Sequence, residues 1–162
     1  MLMRHISLNL IILLLFNSCK ISDNTKEFNS YPTPVDENLW ITYGKNSTSF
    51  KLWSPNAEEV ILRLFKKGND VEAFDIYSLK KSTTGVWHIA VQGDLNGTYY
   101  TYQVKHNNKW LDETPGIYAK AVGVNGNRAM VINMESTNPI GWHNDRSPLL
   151  KQPNEAIIYE LH

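Results

Sequence analysis

One cysteine in 162 residues leaves no partner for an internal disulfide, and too few thiolates for a cysteine-based metal site. The five histidines are scattered, and none pairs at ligand spacing, so the sequence implies no metal or other cofactor. An excess of charge of one sign is also missing. Lys and Arg total 16, Asp and Glu total 16, and the formal net charge is zero. No basic field is therefore available to attract nucleic acid, and no polybasic run to hold a membrane surface. What is present is globular in kind: 42% hydrophobic and 11% aromatic, enough for one domain of ordinary size with its own core.

Residues 1–18 read as a targeting signal. Arg4 and His5 give a positive start, and Leu8 to Phe16 is an apolar core shorter than the roughly 20 residues of a spanning helix. A small residue, Ser18, then stands directly before Cys19, the sole cysteine, at the end of that core. This arrangement resembles a bacterial lipoprotein signal, which implies lipidation of Cys19 and a lipid-anchored location in the bacterial cell envelope, periplasmic or at the cell surface. Phe16 and Asn17 depart from the residues usual in that signal. The alternatives are a secreted protein with a free thiol at Cys19 and an uncleaved anchor. Residues 19–38 are polar, carry Pro32 and Pro34 and have no apolar period, as expected of a flexible tether.

The stretch Phe50 to Phe65, FKLWSPNAEEVILRLF, organises the remainder. Phe50 and Leu52, then Val60, Leu62 and Leu64, recur at the two-residue period of half-buried strands. Ser54-Pro55-Asn56 interrupts them, because proline gives no amide to a ladder and Ser and Asn bond their own backbone. Further strands are expected at Leu39 to Tyr43, Val71 to Leu79, Val86 to Val91, Thr98 to His106, from Lys109, and Ala129 to Met134. Asn107-Asn108 is a two-residue hairpin turn that tolerates positive φ. About eight short strands separated by turn residues, with no helical period after the signal, predict an all-β, immunoglobulin-like antiparallel sandwich over residues 39–134. Residues 135–155 read as a linker. Residues 156–162, AIIYELH, read as an apolar strand start that opens a further domain.

Three pieces carry a family resemblance. Trp53-Ser54-Pro55 followed by the Glu58 to Phe65 strand resembles the opening of the N-terminal sandwich of starch-debranching enzymes. Gly97 to Gly126, GTYYTYQVKHNNKWLDETPGIYAKAVGVNG, resembles a run of type I pullulanases, except that Ile117 stands where the family usually has proline. Asn138-Pro139 with Gly141-Trp142, then Ala156 to His162, resembles the linker and opening strand of their catalytic barrel. The resemblance implies a carbohydrate-binding module of family 48, placed before a family 13 glycoside hydrolase (β/α)8 barrel that cleaves α-1,6-glucosidic bonds in pullulan, starch or glycogen. The first strand of that barrel would be cut short here, and the missing barrel would be the module's own partner.

A retaining glycosidase needs two carboxylates about 5 Å apart across one bond. In the family these lie on barrel strands after the first, so the resemblance carries no catalytic residue onto this chain. Asp112-Glu113 reads as a turn ending the Trp110 strand, and Glu160 and His162 as parts of the barrel's entry strand. Flat aromatic faces remain as candidate sugar platforms. Trp53 and Trp87 lie in apolar strands and are expected in the core. Trp110 follows the Asn107-Asn108 tip and occupies the position of a stacking tryptophan in glycogen-binding members of the module family. A lysine of those members falls on Gln103. Trp110, Gln103 and Asn108 are therefore the candidate contacts, with α-glucan or with the missing barrel. The expected function is a non-catalytic module of a pullulanase-like enzyme. The alternatives are a free-standing glucan-binding surface lipoprotein and an immunoglobulin-like interaction module.

Overall fold

A computed structural model describes residues 28–161. The expected signal over residues 1–18, Cys19 and His162 lie outside them. The chain divides into two units, Met1–Thr33 and Pro34–His162. In the first, Phe28–Ser30 form a single 3-10 turn. Among its described residues the second holds eight strands: β1 (Ser47–Trp53), β2 (Glu59–Phe65), β3 (Asp75–Ser78), β4 (Lys80–Lys81), β5 (Val86–Gln92), β6 (Tyr99–His106), β7 (Lys109–Trp110) and β8 (Ala129–Met130). No α-helix occurs among the described residues.

The strands form two sheets, in the orders β1-β5-β4 and β3-β2-β6-β7, with β8 pairing β6 as well. Every pairing is antiparallel. The expected all-β antiparallel architecture is thus borne out. The period-two residues of β1 and β5, Phe50, Trp87 and Val91, turn inward against Val60, Leu62 and Leu64 of β2 and Tyr100 and Tyr102 of β6. The rings meet edge to face, Phe50 to Tyr100 at 5.4 Å and 71° and Tyr100 to Tyr102 at 5.6 Å and 75° between centroids and planes, the arrangement the ring quadrupole favours.

β1 and β2 are consecutive but lie in different sheets, so the Ser54-Pro55-Asn56 turn is a corner and not a hairpin. Its carbonyls explain the corner. Ser54 O accepts from the Trp87 indole at 2.9 Å, and Pro55 O and Ala57 O accept from Lys81 Nζ at 2.7 and 3.1 Å. Leu79 makes the second crossing: it is buried between β3 in one sheet and β4 in the other.

Four expected strands are corrected. Leu39 to Tyr43 makes only one bridge, Thr42 with Ser49. Either side of it the segment leaves the ladder, because Ile41 and Tyr43 pack on the core and the Trp40 amide bonds the Asn38 side chain instead. Val71 to Phe74 stays irregular, with Val71 O taken by the Arg128 guanidinium at 2.8 Å. β8 stops at Met130, and Asn133 caps a 3-10 turn, Met134–Thr137, by accepting from the Glu135 amide at 3.2 Å. Residues 156–161 form no strand. Ile157, Ile158, Tyr159 and Leu161 are all more than four-fifths exposed, and a strand without a neighbour has no ladder to hold it.

Candidate functional site

Because side chains alternate along β6, burying Tyr100 and Tyr102 turns Thr101, Gln103 and Lys105 to the outer face of the five-stranded sheet. β2 contributes Glu59, Ile61 and Arg63 to the same face, with Glu59 opposite Lys105, Ile61 opposite Gln103 and Arg63 opposite Thr101. The β6–β7 hairpin extends it. Asn107 and Asn108 both take positive φ, 49° and 58°, as a tight two-residue turn requires. That turn sets Trp110 directly opposite Lys105.

Two rows of side chains result. In the first, Lys105 Nζ binds Glu59 Oε1 at 2.6 Å and lies 5.9 Å from the centre of the Trp110 ring. The Glu59 carboxylate, as acceptor, raises the Lys105 pKa above its ordinary value. Trp110 is 38% exposed, and the neighbouring Leu111 is exposed as well. In the second row Arg63 donates to Gln103 Oε1 from both Nε, at 3.3 Å, and one terminal nitrogen, at 3.1 Å. Gln103 Nε2 donates in turn to Leu111 O at 3.0 Å. Glu113 closes the row by pairing with Arg63 at 3.3 Å and accepting from the Thr101 hydroxyl at 2.7 Å.

The three candidate residues therefore share one corner of the sheet but differ in what they offer. Trp110 presents a ring to solvent. Gln103 spends both ends of its amide on internal partners. Asn108 is exposed at the hairpin tip, with its backbone amide held by the Glu58 carboxylate at 3.0 Å. Glu113 is bound into the strand network, but Asp112-Glu113 is not the expected turn: the chain runs on irregularly from Trp110 to the Thr114 bridge with Tyr102. Trp87 is in the core as expected, while Trp53 is half-buried with its indole donating to Thr84 O at 3.2 Å. Reasoning from the sequence missed Lys105 and Glu59, although Lys105 shares the outward phase of Gln103. An aromatic face flanked by an ammonium and a carboxylate can stack on the apolar side of a pyranose ring and bond its hydroxyls. No group of three or more metal-ligating side chains occurs among the described residues.

Residues 32–119 match the model of carbohydrate-binding module 48, the isoamylase N-terminal domain. The chain belongs to this family. The module is 33% identical to the pullulanase of Bacillus subtilis (strain 168) over 127 residues, which is 78% of this chain and 17% of that protein. It is 30% identical over 145 residues to the chloroplastic pullulanase 1 of Arabidopsis thaliana, 84% of this chain and 14% of that one. Among solved structures, a mutant pullulanase from Paenibacillus barengoltzii complexed with maltotriose superposes with a TM-score of 0.71 at 39% identity, covering 82% of this chain and 20% of that chain. A second mutant of that enzyme, complexed with maltotetraose, gives 0.74 at 37% identity over 83% and 21%. The resemblance of the sequence to pullulanase modules is borne out. The chain spans about a fifth or less of each of these relatives.

Proposed function

We propose that the module serves a pullulanase-like enzyme that hydrolyses α-1,6-glucosidic bonds in pullulan, starch or glycogen, and that it is itself non-catalytic. It stabilises and positions a catalytic barrel, and it contacts glucan through the outer sheet face around Trp110. Residues 39–134 are the sandwich, 135–155 the linker and 156–162 the opening of the barrel. Residues 1–18 are the signal and 19–38 the tether that holds the module off the bacterial envelope, anchored by lipid at Cys19.

The observation that carries this reading is the superposition on pullulanases bound to maltooligosaccharides, at 37–39% identity over more than four-fifths of the chain. The C-terminal segment supports the barrel contact. Leu149, Ile157, Ile158, Tyr159 and Leu161 stand exposed, and a run of exposed apolar side chains marks a contact surface. For glucan contact the support is the half-exposed ring of Trp110 beside Lys105 and Glu59.

Affinity electrophoresis of the full chain in gels containing pullulan or glycogen tests the glucan contact. Retardation is expected, and Trp110→Ala is expected to weaken it. Equal mobility with and without polysaccharide sinks that part of the reading. Co-purification of the chain with a separately expressed family 13 barrel tests the other part. Retardation without barrel capture favours the free-standing glucan-binding lipoprotein.

A further inference from the structure

A second surface differs in kind from the Trp110 face. The Asn38–Tyr43 segment lies beside the Tyr118–Lys120 segment and borders a half-open cleft of about 460 Å³, lined among others by Trp40, Tyr43, Tyr118, Lys120, Asn133 and Glu135. Neither Trp110, Gln103 nor Asn108 lines it. We infer that this cleft is a separate seat for a neutral α-glucan chain. The inference rests on the glucan-contacting role proposed above, but on none of the residues that carry that role.

Shape is the first argument. The volume lies in the range of roughly 300–1,000 Å³ that small-ligand clefts occupy, whereas the Trp110 face is the outer surface of a sheet. The walls supply the second. Trp40 and Tyr118 are each 46% exposed, and their rings meet edge to face, with centroids 6.4 Å apart at 71°. Each ring thus fixes the attitude of the other while leaving part of its own surface to solvent. Trp40 is further held by its backbone, since its amide donates to Asn38 Oδ1 at 3.0 Å and the Thr42–Ser49 bridge follows two residues on. Rigid, partly exposed rings of this kind bind the apolar faces of pyranose rings without a large ordering cost.

Charge is the third argument. One lysine, Lys120, and one glutamate, Glu135, line the cleft and offset each other, and the Asn38 and Asn133 side chains add neutral polar groups, while the Tyr43 hydroxyl donates to Asp94 Oδ1 at 2.9 Å. A balanced set of donors and acceptors suits a ligand rich in hydroxyls and without charge. It does not suit a phosphate or a carboxylate. Lys120 Nζ lies 5.7 Å from the centre of the Trp40 ring, at the outer limit of a cation–π contact. It can turn from the ring to a sugar hydroxyl at little cost. The most exposed apolar side chains, Ile117, Ile140, Leu149, Ile158 and Leu161, do not line the cleft, so a protein docking through them would not need it.

Titration of the full chain with maltohexaose, followed by two-dimensional NMR, tests the cleft. The Trp40 indole and the Tyr118 and Lys120 amides are expected to shift saturably. Tyr118→Ala is expected to raise the dissociation constant about tenfold, equivalent to about 1.4 kcal/mol, and Lys120→Gln about threefold. Tyr118→Leu keeps the bulk and loses the ring, so it replaces the alanine variant if thermal unfolding shows that one to be damaged. Trp110→Ala is expected to leave the cleft shifts in place. Cleft signals that stay still at saturating maltohexaose overturn the inference, as does unchanged affinity in Tyr118→Leu. If retardation by pullulan is then still lost in Trp110→Ala, the sheet-face reading survives alone. Cleft shifts produced by an added barrel polypeptide but not by maltohexaose assign the surface to protein docking and overturn the glucan seat.

Discussion

The Tyr102 hydroxyl donates to the Lys51 carbonyl at 3.2 Å and so ties the two sheets together through the core. Tyr102 sits on β6 of the larger sheet, and Lys51 on β1 of the smaller one. Tyr102 is almost fully buried, where water is not at hand to replace a lost partner. Tyr102→Phe keeps the ring contact with Tyr100 but leaves the Lys51 carbonyl oxygen without this donor. The expected cost is about 1 kcal/mol, read as a lower urea midpoint with an unchanged slope.

The same burial makes stability sensitive to alkali. Tyr100 and Tyr102 both have their hydroxyl pKa pushed far above the ordinary value of 10.0, chiefly because burial disfavours the phenolate. The folded value is raised, so the sign follows directly. The stability held by keeping both hydroxyls protonated is fully present below about pH 10, the unfolded value, and is lost as pH climbs above it. Each tyrosine is expected to add about 1.4 kcal/mol per pH unit to the decline. Urea titrations between pH 8 and pH 11, on the natural chain and on Tyr100→Phe, check this. The variant is expected to lose one tyrosine's share of the slope.

The run AKAVGVNGNR is fastened to the sheet by close backbone approach. A Cβ on Gly123 would stand 2.9 Å from the Gly68 Cα and 3.0 Å from the Tyr99 ring. Arg128 then reaches over the Phe65 ring at 3.6 Å and donates to Lys67 O at 2.9 Å. Gly123→Ala must push these chains apart, for an expected loss of about 1–3 kcal/mol. Since Tyr118 directly precedes this run and Lys120 is its second residue, the loss is expected to come with altered NMR signals at Trp40 and Tyr118.

The strands of the sandwich were legible wherever period-two residues met a partner strand. Phe50, Val60, Leu62 and Leu64 announced their inward faces, and Asn107-Asn108 announced the hairpin that carries Trp110. What the pattern could not encode is which strand neighbours which. Alternation in Phe50–Phe65 reads the same whether β1 and β2 pair or part at a corner, and the corner depends on Trp87 and Lys81 reaching Ser54, Pro55 and Ala57 from another strand. Leu39 to Tyr43 and Ala156 to Leu161 have strand-forming residues without a ladder beside them. The candidate site divides the same way. Trp110 was visible from its turn, whereas Lys105 and Glu59 join it through register, and Trp40 meets Tyr118 and Lys120 through the path of two irregular segments.

Gln103 and Trp110 separate stability from binding on the sheet face. Gln103 accepts from Arg63 on one side and donates to Leu111 O on the other, so it joins β2 through β6 to the chain just beyond β7. Gln103→Ala takes the amide acceptor from Arg63, which keeps Glu113, and removes the donor to Leu111 O. The expected cost is about 1–2 kcal/mol of folding stability, with retardation in pullulan gels changed less than twofold. Trp110→Ala removes a ring that is more than a third exposed and is expected to leave the urea midpoint nearly unchanged while weakening retardation. Measuring both variants in both assays decides the matter. If Gln103→Ala loses pullulan retardation at full stability, the amide contacts sugar directly, and its internal hydrogen bonds must open when glucan binds.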